Sequence, residues 1–600
     1  MKVAIPAGGF ASRRLRRCRN SALTALIALC TGCESTSTGQ LVEPPNVILI
    51  MTDDQGYGDF GFHGNPVLRT PHLDAMAGRG ARLANFHVHG VCTPTRAALM
   101  TGRHPQRTRA FDTFIGRAMM DPNETTVAEV MQGAGYATGI FGKWHLGDCY
   151  PMRAMDQGFE EALVHLGGGI GQSSDPVGGE GKYTDPILHH NGKPVATKGY
   201  CTDVYFDAAI DWMKAEVSKG QPFFTYLATN APHGPFHDVP RELYNHYKKV
   251  DLSHARFPQD KGAKLTSRQN LDKEARIYAM VENIDQNIGK LFKALDELGV
   301  TKDTLVIFLI DNGPNTRRYL AGFRGQKNRV YEGGVRSPLI AHWPGRLLPG
   351  VASDRVCAHY DLMPTILEAC GVKKPKGLDG RSLWPLLERR ATEWPERAIF
   401  IQHHRGDLPV RHHNFVVRTQ RYKLVNPTGF HNEISKAKPM FELYDMDADP
   451  YELHDIATKK PGTLAHLRGL YERWFDDIMQ TPGIGAPPAI HLGAQQAPRV
   501  VLTRQDMKRV RRKGWGYMGY WLVDVVGPGP FRLNIRPHGK ALPSRVHVKI
   551  GDASWAQPWG TSKTKTLLLD RLPRGTQKLE VDVTVQGKRA AAYQVEVRTE

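Results

Sequence analysis

Four short apolar runs in this chain each lead into residues able to hold a cation or move a proton. Residues 47–51 run into Asp53 and Asp54, 136–141 into Lys143 and His145, 223–228 into Asn230 and His233, and 304–310 into Asp311 and Asn312. An unbroken apolar run of this length reads as a strand buried on both faces. In open α/β sheets, ligands gather beyond the carboxyl ends of such strands. One Asp after a strand is ordinarily a helix cap. Four ends that bring carboxylates, amide, imidazoles and an ammonium to one edge point instead to a site. Carboxylate and amide oxygens suit a hard cation, calcium or magnesium, whereas zinc would ask for more nitrogen or sulfur. Asp53, Asp54, Asp311 and Asn312 are the expected ligands, with a purely structural calcium site as the plainer alternative.

A second constellation is Cys92-Thr-Pro-Thr-Arg96, running into Ala97-Ala-Leu-Met-Thr-Gly-Arg103. Pro94 is well tolerated in a first turn, and the residues after it favour a helix. Cys92 is therefore expected at or just before a helix N-terminus, where backbone N–H groups favour an anion. Arg96, about one turn on, can return to the same place. Read alone, Cys92 would be a low-pKa thiolate nucleophile. A Cys-His protease, however, needs an imidazole base and an oxyanion hole, not four oxygen ligands.

These residues resemble the formylglycine-dependent sulfatases of the alkaline phosphatase superfamily. Cys92-x-Pro94-x-Arg96 is similar to the sequence that the family's maturation enzymes read before oxidising the cysteine to an aldehyde. Leu99-Met-Thr-Gly-Arg103 and Gly142-Lys143-Trp144-His145-Leu146-Gly147 match further signature blocks, as do Gly325-Gln-Lys327 and Tyr331-Glu-Gly-Gly-Val-Arg336. The likeness covers about residues 45–460. It implies calcium on Asp53, Asp54, Asp311 and Asn312, with the hydrated aldehyde of residue 92 as a further ligand. It also implies that Arg96 and Lys143 stabilise that hydrate and the bound sulfate, and that His145 hydrogen-bonds it. His233 and Lys327 would bind sulfate and serve the leaving oxygen. One hydroxyl of the hydrate would attack sulfur and the other would later expel sulfate, an exit that a plain thiol or hydroxyl lacks. The chain departs from the pattern at Ile310, where many relatives carry Ser or Thr, and at Thr95 in place of the commoner Ser.

Strands alternating with amphipathic helices, such as 276–298 with apolar residues at helical spacing, must position this edge. The expected fold class is α/β: an alkaline-phosphatase-like, mostly parallel sheet flanked by helices over 46–385. A smaller C-terminal α+β subdomain follows over 386–480. Residues 481–498, rich in Pro, Gly and Ala, read as a linker, and the alternating strands of 499–600 read as an added all-β sandwich. Residues 1–33 read as a signal peptide and 34–45 as a short linker. A basic stretch precedes an apolar run too short to span a bilayer. Thr31-Gly-Cys33 is similar to a bacterial lipoprotein cleavage box, with Cys30 as its departure, so Cys33 is a candidate lipid anchor and plain secretion the alternative. The expected location is the periplasm or outer surface.

With 41% hydrophobic and 23% charged residues, the 600-residue chain has ordinary globular composition. Its formal charge of +19 includes six basic residues in the first 32, which hold no acid. The remainder is still strongly positive and suits an anionic partner. With no arginine-rich helix or zinc-finger spacing, nucleic acid is not expected. Cys149, Cys201, Cys357 and Cys370 could form one or two bridges or stay free. His404 and Arg405 are candidate substrate contacts at the site entrance, against a solvated loop. The run Gly167-Gly-Gly-Ile-Gly171 lacks nucleotide-binding context and reads as an active-site loop. Trp515, Trp521, Trp555 and Trp559 are read as core residues before carbohydrate platforms. The expected activity is sulfuric ester hydrolysis on a sulfated carbohydrate, served by a formylglycine-generating maturation enzyme. The rivals are a phosphonate or phosphodiester hydrolase with the same machinery and a non-catalytic polysaccharide-binding lipoprotein.

Overall fold

The four apolar runs become four neighbouring parallel strands. Asn46–Thr52 lies between Phe223–Ala228 and Thr304–Ile310, and Phe223–Ala228 also pairs with Ala137–Lys143. All four are buried from end to end because the sheet carries an apolar layer on each face. Val47, Leu49 and Met51 pack with helices Cys92–Thr101, Val127–Gly133 and Leu362–Ala369. Ile48 and Ile50 pack on the other side with Pro71–Arg79, Cys201–Ser218 and Leu271–Glu297. Two covered faces are what removes the polar alternation from these strands. Arg336–His342 adds an antiparallel strand, and Ile187–His190 and Lys193–Ala196 close the far edge of the eleven-stranded sheet. This computed structural model describes residues 44–265, 270–391, 393–403, 405–430, 438–513, 516–539 and 541–600. The leader with Cys33, His404 and Trp515 lie outside the described residues. No helix among the described residues is long and apolar enough to cross a membrane.

Four antiparallel strands, Ile399–Gln402, Phe415–Arg418, Tyr422–Asn426 and Glu442–Asp445, form the smaller sheet. One face packs under the helix Pro461–Ile478 through Phe415, Val417, Leu424 and Leu443. The opposite face, with Ile401, Val416 and Val425, meets Val330, Tyr331 and Val335 of the main body. Residues 490–600 build two facing sheets of seven and four strands around a common core.

Residues 481–498 are more than a tether. Ile490–Leu492 is a strand paired in parallel with Gly516–Val525, and the carbonyls of Ile484 and Ala486 accept hydrogen bonds from Arg117. Composition marks such a stretch as lacking its own core, but not that a neighbouring sheet edge takes it in. Met119, Cys149 and Met152 of the main body belong to the sandwich core. Trp521 and Trp559 are buried there too, their indole N–H groups bonded to the carbonyls of Thr503 and Ser562. Trp555 packs against the same core half-buried. Cys149, Cys201, Cys357 and Cys370 are all free thiols.

Candidate active site and metal centre

Parallel register brings the strand ends level: Thr52 is opposite Ile310, and Ala228 is opposite both Met51 and Gly142. Just beyond them, Asp53, Asp54, Asp311 and Asn312 are all buried. Asn312 Nδ2 donates to Asp54 Oδ1 at 2.7 Å, and the Asp54 N–H donates to Asp311 Oδ1 at 3.2 Å. Asp54 itself has a left-handed backbone (φ 60°). Arg318, paired with Asp59, holds the Asp54 carbonyl at 3.0 Å. Arg318 and Asp59 carry no motif signal of their own and were not anticipated from the sequence.

Cys92 is the first residue of the helix Cys92–Thr101, with extended Val91 before it. Its Sγ lies 3.5 Å from Asp53 Oδ1 and 3.6 Å from Lys327 Nζ. Ligand atoms of Asp53, Asp54 and Cys92 all fall within 4.8 Å of one another. The Thr95 hydroxyl donates to the Asp311 carbonyl at 2.7 Å and accepts from His89 N–H at 3.0 Å, tying this helix to the neighbouring strand end. Ile310 packs in the core, and its backbone N–H is met by the Ser337 hydroxyl at 3.0 Å.

Three cations face the acids. Arg96 bonds Asp311 Oδ2 and the Lys143 carbonyl, both at 2.9 Å. Lys143 Nζ sits 2.5 Å from Asp53 Oδ2, and Lys327 Nζ 2.5 Å from Asp54 Oδ1. Burial alone would raise the Asp53 carboxyl, but Lys143, His233, Arg96 and Lys327 together hold it well below the usual range. Asp311 goes the other way, pushed up to about 7 by burial and by Asp53. Burial and Asp53 also push the Cys92 thiol up to about 12, the opposite of the low-pKa thiolate that the motif alone suggests.

His233 Nδ1 is bonded to the Gly234 carbonyl at 2.7 Å, which leaves Nε2 toward Asp54 Oδ2 at 3.7 Å. His145 has φ 57° and places Nε2 3.0 Å from the Thr113 carbonyl. Burial lowers both imidazoles, and Lys143 and Arg96 lower His145 further. The loop 167–171 lies against both rings. A Cβ on Gly168 would come 2.8 Å from His145 Nε2, and one on Gly169 2.9 Å from His233 Cε1. Only glycine lets the backbone approach so closely.

Asn230 has its side-chain oxygen committed to Tyr205, from which it accepts at 2.9 Å. Arg405, the candidate contact at the site entrance, is anchored beside the loop that meets His145. Its guanidinium is held by Asp112 and the Thr113 hydroxyl, both at 2.6 Å, and stacks on Phe114.

The donor set fits a hard divalent cation. Three carboxylates and an amide converge, and the Asp54 Oδ2 and Asn312 Oδ1 oxygens are buried without a hydrogen-bond partner. A cation there would also offset the unfavourable charge of Asp311 beside Asp53.

Comparison with known proteins agrees with this architecture. The family model described as Sulfatase matches residues 45–372, and N-sulphoglucosamine sulphohydrolase, C-terminal, matches 323–468. Human arylsulfatase A is 33% identical over 480 residues, covering 72% of this chain and 87% of its own. The N-acetylglucosamine-6-O-sulfatase of Bacteroides thetaiotaomicron is 26% identical over 500 residues, 69% of this chain and 83% of its own. The crystal structure of Ps i-CgsB in complex with k-i-k-neocarrahexaose superposes with a TM-score of 0.60 at 27% identity, over 74% of this chain and 94% of that one. With its strand-end acids, buried Cys92 and signature blocks in place, the chain belongs to the sulfatase family of the alkaline phosphatase superfamily and is an arylsulfatase-like sulfuric ester hydrolase.

Proposed function

We propose that this sulfatase acts outside the cytoplasm on sulfated carbohydrate, with a formylglycine made from Cys92 and a calcium ion on Asp53, Asp54, Asp311 and Asn312. One observation carries the reading. Cys92 starts a buried helix with its sulfur among the carboxylates of Asp53 and Asp54 and next to Lys327. A thiol raised to about 12 would be a poor nucleophile there, whereas a hydrated aldehyde supplies one hydroxyl to take the sulfuryl group and another to release it. Calcium, when bound, supplies Lewis-acid polarisation of the sulfate oxygens. Arg96 and Lys143 bond the carboxylates of Asp311 and Asp53 beside residue 92. Lys327 stays protonated because Asp54, Cys92 and Asp53 outweigh its burial, so it is placed to bind sulfate oxygens. His233, with Nδ1 committed to Gly234, offers Nε2 to the leaving oxygen.

The carbohydrate assignment is supported by the sugars named for N-acetylglucosamine-6-O-sulfatase and for the neocarrahexaose complex, together with the positive charge of the chain. The basic and apolar leader supports export to the periplasm or outer surface, with Cys33 as a candidate lipid anchor and plain secretion as the alternative.

Mass spectrometry of the peptide spanning residue 92, followed by turnover of an aryl sulfate and an aryl phosphodiester on one preparation, tests the core of this reading. The expected result is an aldehyde at 92, preference for the sulfate ester, and activity removed by chelation and restored by calcium. An unmodified thiol in an active protein, or preference for the diester, would overturn it. Release of sulfate from defined sulfated oligosaccharides then identifies the sugar.

A further inference from the structure

His145 is held from behind by a part of the chain that neither matching family segment reaches. The Thr113 carbonyl accepts from His145 Nε2 at 3.0 Å and from the side-chain amide of Gln505 at 2.6 Å, and the two nitrogens lie 3.2 Å apart. A carbonyl can only accept, so the shorter Thr113 contact assigns the proton of His145 to Nε2, against the other tautomer in which Nε2 would accept from the Gln505 amide. Nδ1 is then the lone-pair nitrogen, and it is buried without a hydrogen-bond partner. The same argument orients the amide, since reversing it would set two oxygens 2.6 Å apart.

Gln505 is itself fixed. It is 5% exposed and sits in the turn between strands Arg499–Thr503 and Lys508–Lys513 of the C-terminal β domain. Its N–H donates to the Thr503 hydroxyl at 3.2 Å, and the neighbouring Arg504 Nε donates to the Ala592 carbonyl at 3.1 Å. The loop that Gln505 grips is braced on its other side by Arg405, at Asp112 and Thr113. The family segments end at 468, so this support comes from outside them.

We infer that the C-terminal β domain is part of the active site, with Gln505 a positioning residue that locks the Thr113 carbonyl and, through it, the ring orientation and tautomer of His145. This rests on the proposed function, with a hydrated aldehyde at residue 92, and on the expectation stated from the sequence that His145 hydrogen-bonds that hydrate. The direct hydrogen-bond partners of metal-ligating histidines change activity by roughly 10- to 100-fold when removed, and Gln505 acts one bond further back, through the Thr113 carbonyl.

The test is a double-mutant cycle in the full chain. Gln505→Met keeps side-chain length and removes the donor; it is made in the wild-type and His145→Ala backgrounds, with the aldehyde fraction at residue 92 measured for each protein. Kinetics with an aryl sulfate should show kcat per aldehyde falling about 10-fold or more in Gln505→Met, with KM within about twofold. In the His145→Ala background the same substitution should change kcat by less than about twofold. Gln505→Asn, which keeps an amide but is one methylene short, should behave like Gln505→Met and serves if the latter does not fold. Equal losses in both backgrounds, or no loss in either variant, would overturn the inference. A wild-type chain without sulfate-ester turnover takes down both readings, whereas an active wild type indifferent to Gln505 takes down only this one.

Discussion

Asp311 is the acid least compensated by neighbouring cations, since Arg96 must serve it while Asp53, closer to Lys143, opposes it. Its carboxylate therefore gains most from a bound cation. Asp311→Asn keeps the shape and removes the charge. Calcium affinity, followed by isothermal titration, is expected to fall at least about 10-fold, and kcat with it; unchanged affinity would remove Asp311 from the ligand set. Lys327→Met tests the opposite side of the site. Lys327 is placed to bind sulfate oxygens, so the loss should appear in kcat/KM for sulfate esters, by roughly 100-fold. A kcat/KM within about twofold of wild type would refute that role.

The helix Cys92–Thr101 has no side-chain cap, and Thr95 does much of the work of seating it. One hydroxyl donates to the Asp311 carbonyl and accepts from the His89 N–H. Thr95→Val keeps the volume and leaves buried backbone groups unpaired, at a cost of about 1–3 kcal/mol. Urea unfolding reads this directly, and a change under about 0.5 kcal/mol would show that the helix is seated by packing alone. The loop 167–171 makes a steric prediction of its own. Gly168→Ala puts a methyl group against His145 and Gln172, so activity should drop while thermal stability changes little.

Across the chain, the main body, the small sheet and the sandwich share buried charge as well as apolar surface. Lys423 of the small sheet sits 2.7 Å from both Glu332 and Glu452, with no exposure on any of the three side chains. Lys423→Met strands two acids and should destabilise the fold by about 3–5 kcal/mol in chemical denaturation; a smaller loss would mean that Arg336 and His87 compensate. At the sandwich junction, burial raises Asp148 to about 6, while burial and the Asp148 carboxyl raise Asp506 well above the usual range. A carboxyl raised in the folded state binds more protons than it does unfolded. Its stabilising contribution is full below the unfolded value near 3.8 and is lost as pH rises through the folded value. Asp506→Asn should therefore raise the melting temperature more at pH 8 than at pH 5. Equal shifts at both pH values would show that the pair does not titrate in the folded protein.

The central sheet and the cluster at its edge were legible in the chain itself, because they depend on local rules. Strands buried on both faces must be continuously apolar, as 47–51 and 304–310 are, and parallel strands present their following residues on one edge. The Cys92 motif and its partner blocks are likewise contiguous stretches. The signals weakened where a role depends on a partner distant in sequence. Arg405 read as a candidate contact at the site entrance, but its bonds to Asp112 and Thr113 come from a segment about 290 residues away and left no trace in the local sequence. Asn230 read as a site amide, but its side-chain oxygen is taken by Tyr205, 25 residues earlier in the chain. Residues 481–498 read as a linker because a strand of three residues has no periodicity to detect. Gln505 carried no signal at all: an ordinary glutamine acquires its place only when a turn of the β domain is folded 360 residues from His145. Local sequence specifies which strands form and which groups end them. Contacts between elements remote in sequence, formed on folding, choose which of those groups face the cation and what braces them from behind.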